Sequence, residues 1–61
     1  MNLVTTPNMT DIDAIYQQLI ALHEGRNEED SMRVNARLIL LLINHIGDAE
    51  AVSEAIRRAG N

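Results

Sequence analysis

Residues 28–46 constrain this chain more than any other stretch. They run from Glu28 to Ile46 without Gly or Pro, between Asn27 and Gly47, and carry two apolar seams. One seam is Met32, Asn35, Ile39, Leu42 and Ile46; the other is Ser31, Val34, Leu38, Leu41 and His45. Both advance in alternating steps of three and four, the heptad-like spacing of a helix that packs against a neighbouring helix. At about 100° per residue the two seams, with Ile43, cover an arc of roughly 220°. Arg33, Arg37, Leu40 and Asn44 fall outside that arc. A helix apolar over so wide an arc needs cover on more than one side.

The flanking sequence supplies two further helices. Ahead of residue 28, Ile12, Ile15, Tyr16, Leu19, Leu22 and His23 recur at helical spacing, with Gln17, Gln18, Ala21 and Glu24 opposite. Thr10 followed by Asp13 resembles a capping box, acids at Asp11 and Asp13 suit a helix start, and Gly25 suits a helix stop. The first helix is therefore expected over about residues 11–24. Asn27 with Asp30 signals a cap for the second, over about 28–46, and Gly47 ends it. Asp48 then caps a third over about 49–59, whose inward face is Val52, Ala55, Ile56 and Ala59. Alanines on that face allow a neighbouring helix to approach closely. Residues 1–9 read as an extended N-terminal arm, with Leu3, Val4 and Met9 able to dock on a single helical domain of residues 10–61. The expected fold is an all-α three-helix bundle.

Size decides how such a bundle is stabilised. A chain of 61 residues, 46% hydrophobic and without Cys, has neither disulfides nor thiolate metal sites to supplement its core. Cores of this size rarely contribute more than about 3–5 kcal/mol without such help. Association is the remaining device, and one self-complementary patch on the second helix suffices for a symmetric homodimer. The interface is expected at Val34, Asn35, Leu38, Leu41, Leu42 and His45. Asn35, a polar residue within a seam, would then set register or oligomer state, or else bond to another helix of its own chain.

Charge and motif content exclude several functions. Nine acids against five bases give a net charge of −4, and every base is Arg. That balance lacks the footprint of phosphate neutralisation, which counts against nucleic acid as a partner. A single aromatic residue, Tyr16, rules out a base-stacking platform. The longest uninterrupted apolar run, Leu38 to Ile43, falls far short of the roughly twenty residues that span a membrane. The opening residues have no secretory signal pattern, so a cytoplasmic protein is expected. No phosphate loop, nucleophile elbow or zinc-protease motif occurs, and no cofactor is expected.

Two histidines mark the alternatives. His23 lies within the first helix's apolar arc, as a metal ligand or general base, or as a buried side chain bonded to Tyr16 or a helix end. His45, in the last turn of the second helix, is accounted for by the helix dipole. Within one chain the two stand roughly 25 Å apart at about 1.5 Å rise per residue, so only a subunit interface could join them.

The segments Ile15-Tyr16, Leu19-Ile20 and His23-Glu24-Gly25 precede the block Asn35-Ala36-Arg37-Leu38-Ile39-Leu40-Leu41-Leu42 and the block Asn44-His45-Ile46-Gly47-Asp48. Over about residues 5–59 this arrangement resembles a family of short bacterial helical proteins, a domain of unknown function. The resemblance implies a helical protein without assigned catalytic residues and, as a protein partner, a flavin-dependent aromatic-compound oxidoreductase. It also draws attention to Arg37, Asn44 and Asp48 as partner contacts.

The function expected from these readings is that of a non-catalytic helical interaction protein, self-associating through its second helix, as an accessory subunit or regulator. A helix-turn-helix transcriptional regulator using Arg33, Arg37, Arg57 and Arg58 is the alternative. A metal- or ligand-dependent enzyme with His23, His45 and Tyr16 at an intersubunit site is a third.

Overall fold

A computed structural model describes residues 2–61. Three helices follow in order: α1 (Ile12–His23), α2 (Glu28–Ile46) and α3 (Ala49–Ala59), and there are no strands among the described residues. The fold is all-α. Residues 2–11 form neither helix nor strand.

The helix ends follow from local chemistry, with one departure from expectation. Asn27 Oδ1 accepts the Asp30 amide at 2.8 Å, and Asp48 Oδ1 accepts that of Ala51 at 3.1 Å. Each satisfies an amide that the first helical turn leaves without an intrahelical partner. At α1 the expected Thr10–Asp13 capping box does not form. Asp11 is the N-cap and its side chain makes no capping bond. The chain enters α1 one residue later than the box requires, so Thr10 is displaced from the capping position.

α1 ends at Glu24, whose backbone is extended (φ −63°, ψ 130°), and the left-handed Gly25 then turns the chain, whereas α2 ends on the left-handed Gly47 itself. Gly25 has φ 76° and Gly47 has φ 65°, a region that costs other L-residues about 1–2 kcal/mol. Arg26 then clasps the α1–α2 turn: its Nε donates to the Leu22 carbonyl at 2.7 Å, and its Nη1 meets Asp30 Oδ2 at 2.6 Å. At Gly47 an added Cβ would meet nothing closer than the Asn44 carbonyl at 3.8 Å. The cost of Gly47→Ala is therefore conformational, about 1–2 kcal/mol. Urea unfolding should show that loss, and Gly47→Asn should lose less because Asn tolerates this region.

Packing departs further from expectation. No two helices run against each other along their lengths, so the elements of a three-helix bundle are present without its closed core. Val34 and Ala51 are the only buried apolar residues among those described. The chain exposes 5540 Å², whereas a packed monomer of 6.8 kDa exposes about 4,000 Å². Its radius of gyration is 13.2 Å against about 10.5 Å for a compact domain of this length. About 1,500 Å² of surface that a packed monomer would cover is open to solvent.

Candidate functional site

The largest consequence of this openness is an apolar groove between α2 and α3, of about 490 Å³. Ile39, Leu42, Ile43 and Ile46 make its α2 wall. Ala51, Val52, Ala55, Ile56 and Ala59 make its α3 wall, and Asn2, Leu3 and Val4 flank it. The tight Gly47–Asp48 link sets the two helices at an angle instead of side by side. The alanines keep the α3 wall low, so room remains for a third element. Leu3 is half-buried at the edge, whereas Val4 and Met9 stay exposed.

The wall on α2 is the C-terminal part of one predicted seam. Met32, Ile39, Leu42 and Ile46 are all exposed, and so is Asn35. The other seam divides. Val34 is 7% exposed and Leu38 half-buried, so the chain's own fold already covers both. Leu41 and His45 remain exposed. Of the expected interface set of Val34, Asn35, Leu38, Leu41, Leu42 and His45, the single chain buries Val34, half-buries Leu38 and exposes the other four. Val34 belongs to the interior, and among the six only Leu42 lines the groove.

A second unpartnered surface lies on α1. Ile12, Tyr16, Leu19 and Ile20 are exposed along one side, whereas Ile15 and Leu22 are half-buried on another. Tyr16, Leu19, Ile20, His23 and Glu24 line a shallow depression there. His23 is half-buried but makes no hydrogen bond to Tyr16, which is 60% exposed. Periodicity could mark α1 as amphipathic, but it did not show which part of the arc faces outward.

Of the expected partner contacts, Asn44 and Asp48 line one depression at the α2–α3 junction, with Ser53, while Arg37 lies outside it. Asp48 is also the α3 cap. The arginines do not gather into a free cationic patch. Arg26 pairs with Asp30, and Arg33 with Glu29 at 3.2 Å. Arg57 and Arg58 both pair with Glu54, the latter at 3.3 Å. Exposed pairs of this kind contribute about 0–1 kcal/mol each.

Catalytic chemistry needs titratable groups in a shielded, convergent setting. Among the described residues no polar side chain is buried, and no group of three His, Asp or Glu side chains is placed to hold a metal ion. His23 and His45 share no cavity. Nor is any described helix long and apolar enough to cross a membrane. The described residues present an apolar groove between α2 and α3 and a shallower apolar depression on α1.

No curated protein and no solved structure is similar enough to this chain to match it. The family model described as "Protein of unknown function (DUF2783)" matches residues 3–61, which takes in all three helices and both apolar surfaces. The chain therefore belongs to the DUF2783 family.

Proposed function

We propose that this chain is a non-catalytic helical interaction protein that self-associates through the α2–α3 groove. One observation carries the reading: the chain exposes 5540 Å², about 1,500 Å² beyond a packed monomer, and the α2–α3 groove is lined almost wholly by apolar side chains. Two chains that each cover such a surplus bury about 3,000 Å² in total, within the range of obligate homodimers.

Sedimentation equilibrium over a wide concentration range tests this. A dimer or larger species is expected down to low micromolar concentration, with a melting temperature that rises with concentration. A persistent 6.8 kDa particle would defeat the reading. In the same proposal the arm expected over residues 1–9 borders the groove, through Asn2, Leu3 and Val4. An accessory role toward an oxidoreductase would use the outer strip of Arg37 and Asn44, which the groove leaves uncovered.

A further inference from the structure

We propose that a second copy of this chain fills the groove with the outward stripe of its α1, and that the exchange is reciprocal. This rests on the self-association reading and names the segment that enters. The groove and the α1 stripe are two apolar surfaces that the chain leaves open, the stripe being far shallower than the groove and carrying Ile12, Tyr16, Leu19 and Ile20. They match in length: α1 has 12 residues, about 18 Å, and α3 has 11, about 16 Å. They match in profile as well. The groove's α3 side is built on Ala51, Ala55 and Ala59, and the stripe presents the bulky Ile12, Tyr16, Leu19 and Ile20. Small residues facing large ones allow close interdigitation. Tyr16 is the chain's one aromatic residue and is 60% exposed on the stripe. Interfaces favour such a side chain because its body buries while its hydroxyl can stay wet.

The chain's own α1 does not serve. It keeps Ile15 and Leu22 half-buried and turns the stripe outward. Its reach from the α1–α2 turn is also short. The α2 wall, Ile39 to Ile46, lies about 16–27 Å along the helix from Glu28, while α1 extends only about 18 Å. A second copy removes that limit. Two groove–stripe contacts related by a two-fold axis close the assembly at a dimer, whereas a single head-to-tail contact would propagate into rings or filaments.

The absence of native Cys makes cross-linking a clean test. Leu19→Cys and Ala55→Cys are mild changes at exposed positions, one on the stripe and one in the groove. The L19C and A55C chains, mixed, re-equilibrated and treated with a short bis-maleimide, are expected to link to each other at the two-chain mass. Each chain treated alone is expected to link at least tenfold less. Linking confined to L19C with itself, or no linking in a sample that sediments as a dimer, would overturn this pairing and leave self-association standing. A chain carrying both substitutions that links within itself, at single-chain mass, would show its own α1 in the groove and overturn the proposal. A ladder of linked chains beyond two would overturn reciprocal closure. Sedimentation as a single chain at every concentration would remove this inference and the self-association reading together.

Discussion

Leu42→Glu is expected to break the assembled protein into single chains while leaving α2 helical. Leu42 is 51% exposed in the single chain and lines the groove, so a carboxylate there meets water until a partner covers it. Leu and Glu are comparable helix formers, so the substitution places little strain on α2 itself. In the assembly the same carboxylate would sit against Ile39, Ile46 and Ile56 with no cation on the groove walls. An uncompensated buried charge costs about 3–5 kcal/mol. For each groove filled, that corresponds to an apparent dissociation constant raised by about 100- to 4,000-fold. Sedimentation across concentration measures it directly. Leu40→Glu is the control, since Leu40 is 66% exposed and lies outside the groove. Equal masses for the two variants would show that the groove is not the interface. The released L42E chain should also melt at a lower temperature that no longer depends on concentration, because among the described residues only Val34 and Ala51 are buried within one chain.

Val34→Asp should fail in a different way, by unfolding. Val34 lies two turns from Leu42 on the same helix, yet it is 7% exposed in the single chain. The nearest cations on α2, Arg33 and Arg37, are exposed, so a carboxylate held in the interior at this position would have to leave it to reach either of them. The penalty of about 3–5 kcal/mol is as large as the whole stability such a core supplies, about 3–5 kcal/mol. Far-UV circular dichroism should show most of the helical signal lost at neutral pH. Val34→Ala gives the graded comparison. It removes two carbons, costs about 1.5 kcal/mol at about 0.8 kcal/mol per carbon, and should leave the helices folded with a lower urea midpoint. A fully helical V34D chain would mean that Val34 is less well shielded than its burial implies.

The contrast between these two positions bears on what periodicity can tell. Val34 and Leu42 belong to adjacent seams of one helix, and in sequence they are equally good interface residues. Their roles separate only because the chain's own fold shields Val34 while leaving the Leu42 flank open. Of the six expected interface residues, Val34 is buried and Leu38 half-buried, whereas Asn35, Leu41, Leu42 and His45 are exposed. The same limit applied to α1, whose apolar arc held both Ile15 and Leu22, which the fold half-buries, and Ile12, Tyr16 and Ile20, which it does not.

Local order was legible in the amino acids themselves. Asn27 and Asp48 cap the helices they were expected to cap, Gly47 ends α2 in the left-handed conformation, and Gly25 adopts that conformation in the turn just after α1. These features depend on neighbours within four residues, so the chain need not be folded in three dimensions for them to be read. The excess of apolar surface on α2 was equally plain, because hydrophobicity and the 3.6-residue repeat act residue by residue. Where that surplus would lie was decided by the tertiary arrangement alone. The angle at Gly47–Asp48 and the short reach of α1 determine which parts of α2 stay open. Both arise from how whole helices are placed, and the sum of many weak contacts that places them has no signature in any short stretch of sequence.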